Sequence, residues 1–511
     1  MEPFLIRAFT AQAFYDALSN PYCSSNEVAR QDRAIYLCGY LTDLHAKTMV
    51  VEKNYIDGDF LEDFASYYVR CFKDYDRRCI RLHFFAHGIE EAAFHDLILA
   101  PKPELLKGLH DNYLGFVVVR PLPTAIVGRT VLKTYPSDGG RRHYTAVKNY
   151  HANLFGTAFN VNSLPFQEQD TVLAACATVA LWSAFHKTSE LFGTPSPRPA
   201  EITRVANGVV SNARAIPSHG LDIRQMAHAI RSVGLEPEFF GAKPDIPFVS
   251  MAYGYLRMGL PVILGVHIEG GGLHAVTLTG YSLKPAKVHQ QEVASGEKCI
   301  PMVGLRIDEF YAHDDQVGPF SRLKVKASIK DYPVLFEGQW KDKSSGTILE
   351  IRPIFLLIPV YNKIRVTFLD ISGWLERVSA VLSLFLPPGI ESEWDLRMTT
   401  INELKKDIKG EQFESSELKW LLFAQSPRFI WRATLRCDTK KIMEFFADAT
   451  DMQRSFPFYH HVWHDKGFQN RFQDYLVNPQ VIGINKSMLE PRLYEFLTRG
   501  ASSPPSTSPS I

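Results

Sequence analysis

The stretch 222–281 constrains the fold most, because its apolar period switches there from helical to β. Asp222 stands at an N-cap position with Gln225 three residues on, the spacing of a capping box. Leu221 and Met226 are placed as a hydrophobic staple across that cap. Ile223, Met226, Ala227 and Ile230 fall on one helical face, and Gly234 supplies a stop. From 261 the period becomes two. PVILGVHI (261–268) and LHAVTLTGY (273–281) flank EGGG (269–272), which is a hairpin signature. A third strand-like run, 302–313, follows a polar excursion at 284–300. Helices and antiparallel strands in this order place the chain in the α+β class.

The flanks divide it further. Residues 1–150 read as a mixed α/β region, with a helix over 59–72 and strands at 80–86, 114–119 and 128–135. The central region, 151–325, begins with an all-round apolar helix at about 174–187, followed by a Pro/Ser-rich link at 193–199. Residues 326–498 read as a second mixed α/β region. There 348–360 is a long strand or a strand pair, 374–385 and 401–408 are helices, and 429–437 alternates like a strand. The tail 499–511, ASSPPSTSPSI over its last eleven residues, is too polar and Pro-rich to pack and is expected to be disordered.

Composition excludes whole classes. The 511 residues are 46% hydrophobic and 22% charged, which allows a sizeable core and excludes a disordered or collagen-like chain. With 56 basic and 55 acidic residues the net charge is +1, so a basic footprint for nucleic acid or an anionic membrane is missing. Seven scattered cysteines without a CxxC pair point to free thiols in a reducing compartment, and a cytoplasmic location is expected. The longest apolar run, 171–185, falls short of the ~20 residues that span a bilayer.

One cysteine stands apart. Cys176 follows the polar stretch QEQD (167–170) and sits where small residues open the apolar helix. A thiol at a helix N-terminus meets the positive end of the macrodipole and unpaired N–H groups, which favour thiolate. His274 begins the strand after the EGGG turn, sharing a face with Val276 and Leu278. The next strand ends in Ala312-His313-Asp314-Asp315. If the two strands are antiparallel neighbours, the start of one lies beside the end of the other, and an acid can orient the imidazole. Either aspartate fits that role. Gln169 lies seven residues before Cys176, where its amide can turn back towards a developing oxyanion.

The order Gln169, Cys176, His274, Asp314 resembles that of the papain-like cysteine peptidases, most closely the branch that includes the bacteriocin-leader-processing peptidases. The matching pieces are His274-Ala275-Val276 through Gly280-Tyr281, and Asp314-Asp315-Gln316-Val317-Gly318. The likeness covers about 168–322. It implies a helix carrying the cysteine packed on an antiparallel sheet carrying the histidine and acid. It also implies a hydrolase that cleaves peptide or isopeptide bonds through a Cys176–His274–Asp314 triad, with Asp315 as the alternative acid and Gln169 at the oxyanion. A protein or peptide is then the partner, and no metal or organic cofactor is required. Two other readings fit the same residues: acyl transfer to an amine, and a decayed site serving as a binding scaffold.

Other motifs carry less. Gly270 and Gly272 with Ala275 spell G-x-G-x-x-A, but β-periodic residues follow where a phosphate cradle needs a helix. His460, His461, His464 and Asp465 have ligand chemistry without a second pair at metal-site spacing. His83 and His87 lie on a strand-like run that separates them. Cys71, among aromatics on a helix face, reads as core.

Overall fold

In the computed structural model the described residues are 4–100, 102–170, 175–209, 220–244, 246–285, 300–326, 334–342, 345–386, 391–411, 413, 415–437, 440–452, 456–477 and 491–498. The tail 499–511, Cys299 and most of the polar excursion at 284–300 therefore lie outside the description.

The class is α+β. Near the N-terminus five strands, Phe4–Ala8, Thr48–Tyr55, Cys79–Phe85, Tyr113–Val119 and Val127–Leu132, pair antiparallel in chain order. Alternation sends Leu82, Phe84 and Val117 to one face, against Phe14, Leu37 and Leu41 from two helices. It sends Val50, Phe85 and Val118 to the other, against Phe60, Phe94 and Leu109. The helix expected over 59–72 is Gly58–Ser66. Tyr67 leaves helical geometry at φ −137°, and a 3-10 turn, Tyr68–Arg70, follows.

The expected hairpin is present, and it belongs to a closed barrel. Val262–Ile268 pairs with Gly272–Leu283, which pairs with Ile307–Asp314. The ladder continues through Gly318–Lys326, Leu335–Lys341 and Ile348–Tyr361, and the last of these returns to Val262–Ile268. All these pairings are antiparallel. Val262, Leu264, Val276, Leu278, Phe310, Leu323, Phe336 and Leu356 fill the interior. The boundary expected at 325/326 thus falls inside the barrel. Two of its six strands lie beyond 326, and without them the sheet would have open edges. Ile348–Tyr361 is one strand, long enough to pair with both barrel neighbours and with the outer strand Leu235–Gly241.

Alternate residues of the barrel point outward. Ile263, Ala275 and Leu357 meet Ala177, Ala180, Leu181 and Trp182 of the helix Cys176–Phe192. Thr277 Oγ1 donates to the Ala180 carbonyl at 2.8 Å, which fixes that helix against the strand that carries His274. The capped helix is Ile223–Ser232, with the Asp222 carboxylate accepting from the N–H groups of Arg224 and Gln225. Its stop is Gly234 at φ +82°, a region that glycine enters without strain.

A further antiparallel sheet, Ser392–Thr400, Phe429–Cys437, Lys440–Asp448 and Phe458–Trp463, shares the barrel's core through Trp394, Trp431 and Phe445. The helices Ile401–Lys409 and Ser415–Phe423 cover its other face. Among the described residues no helix is long and apolar enough to cross a membrane.

Candidate active site

Cys176 is the first residue of its helix, and the N-cap is Ala175. Alanine has no side-chain acceptor, so the cap residue itself satisfies none of the first N–H groups of the helix through its side chain. The thiol is half-buried at the margin of the cluster formed by Ala177, Ala180 and Ala275.

His274 lies two residues into its strand, just after Gly272 at φ +82°. Register places Thr277 opposite His313 and Leu278 opposite Ala312. The start of one strand therefore lies by the end of the next, as their antiparallel pairing requires. Nε2 of His274 meets Asp314 Oδ1 at 2.9 Å, and Asp315 Oδ1 lies 3.5 Å from the same nitrogen. Asp314 is the oriented acid of the two. Its carboxylate also accepts from the Gln316 N–H at 3.0 Å and from Trp340 Nε1 at 2.8 Å. Nδ1 is buried without a hydrogen bond among the described residues, and the Cys176 thiol is near enough to act on the ring.

The electrostatics follow from burial and pairing. Burial alone would lower the His274 pKa; the charge and hydrogen bond of Asp314, then Asp315 and Cys176, outweigh it and hold the value well above the ordinary one. Burial would likewise raise Asp314, but the His274 charge and the hydrogen bonds from His274, Trp340 and Gln316 bring it below the usual carboxylate value. Asp315 has only its own backbone N–H in that role. Burial dominates and pushes it up to about 7. The site thus sets an imidazole, whose charged form an ionised acid favours, beside a thiol at a helix start.

Sequence reasoning missed three supporting residues. Trp340 comes from beyond the expected boundary, donates to Asp314, and sets its ring edge-on to His274 with centroids 5.1 Å apart. Arg33 and Tyr36 come from the N-terminal helix Asp32–Asp43. Tyr36 donates to the Pro319 carbonyl at 2.7 Å and packs on Gly318, where an added Cβ would lie 2.1 Å from its ring. Arg33 pairs with the buried Glu168. No local pattern links a residue near 33 or 340 to one near 314; only closure of the barrel and docking of the N-terminal sheet do so.

The segment leading to Cys176 is held by the same elements. Phe166 exchanges backbone hydrogen bonds with Thr130, and Arg120 donates to the Glu168 carbonyl at 2.9 Å. His313 ties this segment to the Asp314 turn: Nε2 donates to the Leu164 carbonyl at 2.9 Å while Nδ1 accepts from the Phe320 N–H. Burial lowers its pKa to about 4, so the ring stays neutral and serves both bonds. Gln169 is half-buried in this segment. Among the described residues no hydrogen bond joins it to Cys176 or His274, and residues 171–174 between them lie outside the description.

His274 Nε2 and carboxylate oxygens of Asp314 and Asp315 lie within 4.8 Å of one another, a spacing a metal ion could use. Asp314 already accepts from three donors and Nε2 already donates to it, so a metal would have to displace bonds that satisfy both groups. The histidines near 460 form no such group among the described residues. His460 lies against Trp420, and His464 faces Glu444 at 3.5 Å. His83 bonds the Tyr113 hydroxyl at 2.9 Å. Cys71 lies half-buried at the edge of the N-terminal core.

No family model, curated protein or solved structure matches this chain.

Proposed function

We propose that the protein is a papain-like cysteine hydrolase acting on peptide or isopeptide bonds of a protein or peptide substrate. The observation that carries this reading is the division of labour around His274. One ring nitrogen is held by an ionised, fully hydrogen-bonded carboxylate. The other, Nδ1, is buried without a hydrogen-bond partner among the described residues, and a thiol that begins a helix acts on the same ring.

The chemistry follows from that placement. Nδ1 takes the Cys176 proton, and the sulfur attacks the substrate carbonyl carbon. The Cys176 backbone N–H donates to the oxyanion, with Gln169 as the amide the resemblance supplies. His274 then gives its proton to the departing amine as the C–N bond breaks, leaving a thioester. Water attacks the thioester, His274 takes a proton from it, and the acid product leaves as the thiol is restored. Asp314 stabilises the imidazolium throughout without itself taking the proton. The scattered free thiols suit a reducing compartment, and we place the protein in the cytoplasm.

The test is a search for new chain termini. A peptide mixture incubated with wild type and with Cys176→Ala is examined by mass spectrometry. Termini formed by wild type and missing with the variant support the assignment. A wild type that generates no termini beyond those of the variant contradicts it.

A further inference from the structure

Asp315 has no task in the triad, yet it is fully buried and one of its oxygens, Oδ2, lacks a hydrogen-bond partner among the described residues. Buried carboxylates are normally satisfied, and an orphaned one is expensive to keep. Its other oxygen sits 3.5 Å from Nε2 of His274, which already gives its hydrogen to Asp314. The metal reading is disfavoured by the donors that already satisfy Asp314. What remains is an electrostatic role.

We propose that Asp315 is a positioning residue that couples the Cys176–His274 proton transfer to ambient pH, a role that rests on the hydrolase reading. When Asp315 is ionised, a second negative charge faces the imidazole, and transfer of the thiol proton to Nδ1 is favoured. When it is neutral, that help is withdrawn. No bond to carbon is involved; one proton moves between sulfur and nitrogen, and a second leaves Asp315 for solvent.

The groups around Asp315 come from several elements. His274 lies on the neighbouring strand and Asp314 adjoins Asp315 in the chain. Arg33 reaches in from the helix Asp32–Asp43, and its own partner is Glu168 in the segment before Cys176. His274 and Arg33 favour the ionised form, while burial and Asp314 oppose it. The balance falls at about 7, so the group changes charge within the physiological range. The N-terminal region, through Arg33, is thereby part of the setting of the site.

The experiment is the rate of Cys176 alkylation by iodoacetamide between pH 5 and 9, read by mass spectrometry in the full chain. Wild type is expected to show a rise of roughly tenfold through an inflection near neutrality, the effect of about one pKa unit. Asp315→Asn is expected to lose that inflection. Arg33→Met removes the favourable charge and is expected to move it to higher pH, which gives a second reading should Asp315→Asn fail to fold. An inflection unchanged in both variants overturns the proposal. His274→Ala separates the two claims. If that variant alkylates like wild type at every pH, the hydrolase reading fails; if it is slow while Asp315→Asn matches wild type, only the role of Asp315 fails.

Discussion

Trp340 offers the sharpest perturbation, because one atom can be removed from the support of Asp314 while the ring that packs on His274 is kept. Trp340→Phe deletes the Nε1–H donor at 2.8 Å from Asp314 Oδ2 and leaves an aromatic edge against the imidazole. A hydrogen bond to a charged group contributes about 1.5–3 kcal/mol. Trp340 is only half-buried, so the lower end applies. About 1.5 kcal/mol is roughly one pKa unit, by which the Asp314 carboxyl should rise. The sign fixes the pH dependence. Asp314 lies below the ordinary carboxylate value, so its contribution is full above the unfolded value and is lost as pH falls through the folded one. The melting temperature of Trp340→Phe should therefore fall by a few degrees at pH 7.5, and the gap should close as pH drops towards 3. Thermal melts of both proteins across that range check it. A gap that persists unchanged at acid pH would mean the indole acts by packing alone, and the hydrogen-bond argument would be refuted.

Three other perturbations test the supports of the site. Gly318→Ala places a Cβ 2.1 Å from the Tyr36 ring at φ +157°, so it should destabilise by about 2 kcal/mol or more, with part of the loss recovered by adding Tyr36→Ala. Arg33→Met leaves Glu168 buried without its charge partner and should cost about 3–5 kcal/mol near neutrality. Glu168 is already raised by burial against the pull of Arg33 and Arg120. A raised acid loses stability as pH climbs from its unfolded to its folded value, so this variant should recover in acid, as melts at pH 5 and 8 would show. Thr277→Val removes the bond to the Ala180 carbonyl and should cost about 1 kcal/mol by thermal melt, with slower alkylation of Cys176 as its helix loosens.

The legible parts of the fold were those written in local chemistry. The capping box at Asp222, the EGGG turn and the period-two residues around it correspond to Ile223–Ser232 and to two adjoining barrel strands. The meeting of His274 with Asp314 was legible for the same reason, since antiparallel pairing of successive strands fixes which ends adjoin. Register could not choose between Asp314 and Asp315. That choice rests on Trp340 and the Gln316 N–H, one a donor from a strand that only barrel closure brings near. The extent of the barrel was hidden because Leu335–Lys341 and Ile348–Tyr361 look like any apolar strands, and nothing local says which sheet they join. Arg33 and Tyr36 were beyond reach because they act across a contact between distant parts of the chain.

Hydrolysis at this site requires the sulfur of Cys176 to be activated by the imidazole beside it. Competitive alkylation of the native protein with limiting iodoacetamide, quantified per cysteine, measures this against the half-buried Cys71 in the same tube. Cys176 is expected to label faster than Cys71 at pH 7, and His274→Ala is expected to remove that advantage while Cys71 is unaffected. Equal labelling of the two thiols, or an advantage for Cys176 that survives His274→Ala, would contradict it.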